Sequence, residues 1–183
     1  MHDHIDDLAR QYISIAEKQF GKACSEWKFV GVEFNSQPPH LRYYHDTGEM
    51  AISLSNNAKA SELELRCQLA HEVCHALYPT VAIDKCEPVA ATVLNEGVST
   101  SFQLSVIPNE DDIKKAIDIL KEHSPNYFEA LGLVLELMSI VPDAIKKLRS
   151  VQPKLNDITE LDFVKSGVSA SPDLISSLLR KFE

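Results

Sequence analysis

Basic residues are scarce in this chain: 18 Lys and Arg stand against 27 Asp and Glu, a formal charge of −9. Such a surface repels phosphate backbones, and no Lys/Arg stripe offers a footing for nucleic acid or anionic lipid. Long apolar runs are missing too, since nothing approaches the roughly 18 to 20 residues of a membrane-spanning helix. The opening Met1-His2-Asp3-His4-Ile5-Asp6-Asp7 has neither the basic start nor the apolar stretch of a secretory leader. Cysteine is thinly spread, with Cys24, Cys67, Cys74 and Cys86 in 183 residues. That is too few for a disulfide scaffold and fits a reducing compartment. Internal repeats and low-complexity tracts are absent. The expectation is a cytoplasmic protein with no nucleic acid and no membrane partner.

What the chain does have is a 44% hydrophobic content, enough for one sizeable core and hence one domain over 1–183. Its most informative segment is His71-Glu72-Val73-Cys74-His75. Residues four apart on a helix sit about 40° apart around the axis and about 6 Å along it, so both imidazoles face one point. Zinc suits such a point: it takes His nitrogens at about 2.0–2.1 Å, and its catalytic sites use three protein ligands and leave a fourth position for water. Glu72 leans over that position as a general base. A third ligand is at hand in Leu94-Asn95-Glu96-Gly97, where Glu96 follows His75 by 96 − 75 = 21 residues. This distance lets one helix end and a second return alongside. Glu87, 12 residues after His75, is the other carboxylate in range, but Pro88 places it at the start of the second helix. The reading prefers Glu96.

The HEVCH segment followed by Asn-Glu-Gly resembles the gluzincin branch of the zinc metallopeptidases, over residues 61–100. The resemblance implies a compact zincin-like α+β fold and one Zn2+ per chain on His71, His75 and Glu96. It also implies hydrolysis of a peptide or protein substrate with Glu72 as base. An oxyanion donor is expected outside the motif, usually Tyr, His or Arg; Tyr127, His123, Tyr78 and Arg149 qualify by type, and Tyr127 is the nominee. One gluzincin branch carries a carboxylate four residues after the ligand Glu, where it orients a zinc His; this chain has Thr100 there. Cys67, one turn before His71, reads as a small buried hydrophobe rather than a thiolate ligand. Peptide deformylases do use a cysteine, but in a Gly-Cys-Leu segment that this chain lacks. His2, His4, His40, His45 and His123 read as surface or loop histidines. The reading from another class is a catalytically weak zinc-binding module acting through a protein partner; a third is a zinc-free helical scaffold with a coincidental motif.

Organisation follows from periodicity and punctuation. Residues 1–60 read as a helix over 4–22, with Gly21 near its stop, then strands over 27–34, 41–45 and 50–54 in a small antiparallel sheet of about three strands. The last of these is expected to be the edge strand that holds an extended substrate. Residues 61–105 form the metal-binding helix pair: one helix from a Ser61/Glu64 capping box to Pro79, a second over 87–104. Residues 106–183 are a mostly helical bundle, including a central helix over 127–140 that is apolar around most of its circumference. Shorter helices are expected over 142–150, 159–166 and 172–182. The chain's length argues for a shallow, open groove.

Overall fold

The computed structural model describes residues 2–82 and 90–183. Residues 83–89, with Cys86 and Glu87, lie outside them; the second metal-site helix, expected from 87, begins only at Val93, because Thr92 is extended and caps it. The fold is α+β, a small three-stranded sheet among eight α-helices in the described residues. Helix α1 (His2–Phe20) buries Ile5, Ala9, Tyr12, Ala16 and Phe20, a stripe at helical spacing. It stops where Gly21 takes φ +93°, a left-handed conformation that glycine adopts freely.

Strands β1 (Lys28–Asn35), β2 (His40–Tyr44) and β3 (Glu49–Ser55) follow. Their order is β1-β3-β2, with β2 antiparallel and β1 parallel to β3. The sheet is therefore mixed, not antiparallel, and β3 lies at its centre, not its edge. The alternation Ala51-Ile52-Ser53-Leu54-Ser55 misleads because its polar face is buried by hydrogen bonding rather than exposed. Ser53 is 0% exposed, and its hydroxyl accepts from Asn35 Nδ2 at 2.6 Å. The Ser55 N–H donates to Gln68 Oε1 at 3.0 Å while Gln68 Nε2 donates to Ser55 Oγ at 2.9 Å, which pins the end of β3 to the following helix. The strand left at the edge on the metal-site side is β2.

That following helix is α2 (Glu62–Leu77). The Ser61 hydroxyl caps it by accepting from the Glu64 N–H at 3.2 Å. The capping box is only half made: the Glu64 carboxylate turns away and accepts from Gln68 Nε2 at 2.9 Å. Next come α3 (Val93–Ser105), capped by Thr92, α4 (Glu110–His123), capped by Asn109, and α5 (Pro125–Ile140). Helices α6 (Ala144–Val151), α7 (Glu160–Ser166) and α8 (Pro172–Leu179) complete the chain. One contiguous set of buried side chains draws on α1, most of α2's inner face, β3, α3 and α5–α8. Helix α5 is less central than its composition suggests: Ala130, Leu131, Val134 and Leu137 are buried, but Leu135 is 49% and Ile140 52% exposed. No helix among the described residues is long and apolar enough to cross a membrane.

Two features hold the metal-site helices in place. A Cβ on Gly97 of α3 would fall onto the Ala130 carbonyl and within 2.6 Å of Val134 Cγ2 on α5. Only glycine allows that crossing. Gly97→Ala would gain about 1 kcal/mol of helix propensity, yet the clash is with backbone and a packed side chain, so overpacking wins. The expected net loss is about 1–3 kcal/mol in denaturant unfolding; equal or higher stability would show that α3 and α5 separate freely. The second feature is Arg149 of α6, whose guanidinium donates to the carbonyls of Phe20, Gly21, Lys22, Leu77 and Pro153 at 2.8–3.2 Å. It satisfies the open carbonyls at the ends of both α1 and α2.

Candidate metal centre

Helix α2 presents His71 and His75 one turn apart, with ring centroids 4.8 Å from each other. Helix α3 lies alongside and brings Glu96 between them: its Oε2 is 3.1 Å from His71 Nε2 and 3.5 Å from His75 Nε2. One ligand atom from each of His71, His75 and Glu96 lies within 4.8 Å of the others, and this group can hold a metal ion. The two helices bring these donors together because α2 and α3 pack through the apolar faces that flank them, Leu69, Val73, Leu94 and Val98 all being buried in one core.

Burial and mutual attraction set the charges here. Burial alone would raise the Glu96 carboxyl, but the His75 and His71 imidazoles hold it well below the usual carboxylate range. Burial pulls the His75 imidazole down, and the carboxylates of Glu96 and Glu72 more than reverse this, lifting it to about 9. Glu72 is 5% exposed, and this burial lifts its carboxyl against the pull of both imidazoles. It lines the same cavity of about 290 Å3 as His71, His75, Glu96 and Tyr127.

Of the residues considered as donors, the structure brings Tyr127 to this cavity. Its ring, in the first turn of α5, stands edge-on to His71 with centroids 5.7 Å apart and is backed by Phe182 at 4.7 Å. Burial, with the Glu96 and Glu72 carboxylates, pushes its hydroxyl up to about 12, so it remains a proton donor through the ordinary pH range. The others serve elsewhere. Tyr78 is 1% exposed, lies under the Arg149 guanidinium and bonds the Ser99 hydroxyl. Arg149 spends its donors on backbone carbonyls, as described above. The His123 side chain is 66% exposed at the end of α4. Cys74 is packed in the core, where burial pushes its thiol up to about 12. Cys67 lies outside the metal-binding group, lining a neighbouring hollow.

Two further residues of the site were given no role by the sequence reading. His40 of β2 lines the cavity, held by a 2.8 Å contact between its Nδ1 and the Pro38 carbonyl. A carbonyl only accepts, so Nδ1 is the donor in that contact. His40 is partly exposed and outside the metal-binding group, in keeping with the expectation, but stands on β2 rather than in a loop. Asn95 is 0% exposed. Its Oδ1 and His75 Nδ1 are both buried with no hydrogen-bond partner, and Asn95 favours the protonated form of His75. The Asn95 amide is oriented by its own donation to Asn156 Oδ1 at 2.6 Å, and Asn156 also accepts from the Thr92 N–H at 3.1 Å. Thr100, at the place of the expected carboxylate, donates back to the Glu96 carbonyl at 2.8 Å. Its position gives a clue in retrospect, because a metal-binding histidine without a carboxylate partner would need another acceptor, and Asn95 adjoins Glu96. Compared with models of protein families, with curated proteins and with solved structures, the chain matches none.

Proposed function

We propose that this protein is a zinc-dependent peptidase, the reading supported by the convergence of two imidazole nitrogens on one carboxylate oxygen beside a buried glutamate. Two His and one Glu are a donor set that zinc favours. With bonds of about 2.0–2.1 Å, the ligand atoms of a tetrahedral zinc lie roughly 3.3–3.4 Å apart. The separations of 3.1 and 3.5 Å fit that edge length. His71, His75 and Glu96 would hold the ion. When bound, zinc supplies a Lewis acid that polarises a carbonyl and acidifies water.

The chain's own residues carry the remaining work. Glu72 takes a proton from the attacking water and later delivers it to the leaving amine. The Tyr127 hydroxyl donates to the oxygen on which negative charge develops. Strand β2 borders the cavity through His40, Leu41 and Tyr43 and has its outer edge unpaired among the described residues, so an extended chain can align on it by main-chain bonds. Its substrate is a peptide or an unstructured protein segment.

The test is hydrolysis of unstructured peptides by zinc-loaded protein, stopping with a chelator and returning with added zinc. A broad peptide set left uncut by zinc-replete protein would refute the peptidase and favour a zinc-binding module. Asn95 gives a separate prediction. A metal-bound His75 would donate Nδ1–H to Asn95 Oδ1, and loss of such an orienting partner typically costs 10- to 100-fold in metal affinity. Asn95→Ala is expected to weaken zinc binding by about that factor in a competition titration; unchanged affinity would leave His75 positioned by its helix alone.

A further inference from the structure

The cavity at the metal ligands continues along α2. Its first hollow contains His71, Glu72 and Tyr127. A second, about 260 Å3, shares those three residues and adds Cys67, Gln103 and Leu120. A third, about 440 Å3, shares Cys67, Gln103 and Leu120 and adds Leu63, Ala116 and Ile119. One helix face underlies the whole run: Glu64, Cys67, Gln68, His71, Glu72 and His75 recur at alternating steps of three and one, the α-helical repeat. Helix α4 forms the opposite wall through Ala116, Ile119 and Leu120.

The two ends differ in character. The metal end gathers two imidazoles and two carboxylates, whereas the far hollow has an apolar wall of Leu63, Cys67, Ala116, Ile119 and Leu120 beside Ser61, Glu64, Gln103 and Lys115. Ile119 is 47% exposed there, on a helix whose other outward positions are mostly charged. We propose that this far hollow is a recognition site for an apolar side chain, Leu, Ile, Met or Phe, of the same peptide whose backbone crosses the metal ligands. The inference rests on the peptidase reading. A phosphate polymer is opposed by the net charge of −9, while an extended peptide matches the elongated run of hollows, with its backbone at the metal-binding group and a side chain against the apolar wall of the far one.

Helix geometry sets the register. Glu64 and Glu72 are eight residues apart, so about 12 Å separates the hollow from the base. An extended chain advances about 3.3 Å per residue. The recognised side chain therefore lies roughly three to four residues from the cleaved bond. Burying one such side chain changes specificity by about tenfold or more.

The experiment scans a Leu, Ala or Asp substitution along an otherwise constant unstructured peptide, reading kcat/KM with zinc-loaded wild-type and Ile119→Glu protein. The expected result is a preference for Leu over Asp of about tenfold or more, confined to three or four residues on one side of the cut. Ile119→Glu should abolish that preference with zinc content retained. Peptides that are cut with no preference at that distance, or with one that survives Ile119→Glu, would overturn the hollow and leave the peptidase standing. If no peptide is cut, the peptidase reading falls, and fluorescence anisotropy with the same labelled peptides decides the hollow. Leu-dependent binding lost in Ile119→Glu supports it; equal binding of the Leu and Asp peptides overturns it.

Discussion

Glu72→Gln protein is expected to keep its full zinc content while hydrolysing peptide about 10²- to 10⁴-fold more slowly, the range for a positioned acid/base. The argument rests on placement. Glu72 is 5% exposed beside the donor group, and the glutamine that replaces it has nearly the same shape but cannot take a proton from water. Folding and metal content should therefore survive while kcat falls. Equal turnover by both proteins would assign the activity to a contaminant. Loss of zinc together with turnover would instead make Glu72 part of the metal's support.

The second large effect concerns Glu96. Structural zinc sites with four ligands bind with about 10–16 kcal/mol, so one ligand accounts for roughly 3–4 kcal/mol, or about 10²- to 10³-fold in affinity. Glu96→Ala should weaken zinc binding by at least about that factor, since its Oε2 is the atom that both imidazoles approach. His71→Ala and His75→Ala should behave alike. A ligand that binds only the folded state raises its melting temperature, so added zinc should raise the Tm of wild type and not of these variants. Glu87→Ala is the comparison: unchanged affinity is expected, and a large loss there with Glu96→Ala unaffected would move the third ligand to Glu87.

The donor group was readable in the sequence because its spacing is short-range geometry. His71 and His75 sit one helical turn apart wherever that helix lies, and 21 residues suffice for Glu96 to return beside them. Helix limits set by Gly21 and Ser61 were readable for the same reason. The sheet was not, because strand partners depend on distant residues: β1 lies parallel to β3, and Ser53 is buried only because Asn35 meets it from β1. Tyr127 could be nominated by type but not placed. Its position over His71 depends on how closely α5 approaches α3, which is decided by the missing side chain of Gly97. The roles of Asn95 and His40 were not readable, because they depend on which ring nitrogen each neighbour faces, a relation without a sequence period.

The Arg149 staple also orders events during synthesis. Its guanidinium joins carbonyls 127 to 129 residues earlier at the end of α1, and the Leu77 carbonyl 72 residues earlier at the end of α2. At about 5–20 residues per second, the last turn of α2, which carries His75, waits roughly 4–14 s for its anchor. Glu96 is made 149 − 96 = 53 residues before Arg149. A nascent chain thus holds His71, His75 and Glu96 before it holds the residue that ties down the end of α2, and a metal ion arriving in that interval would meet a donor set whose frame is still open.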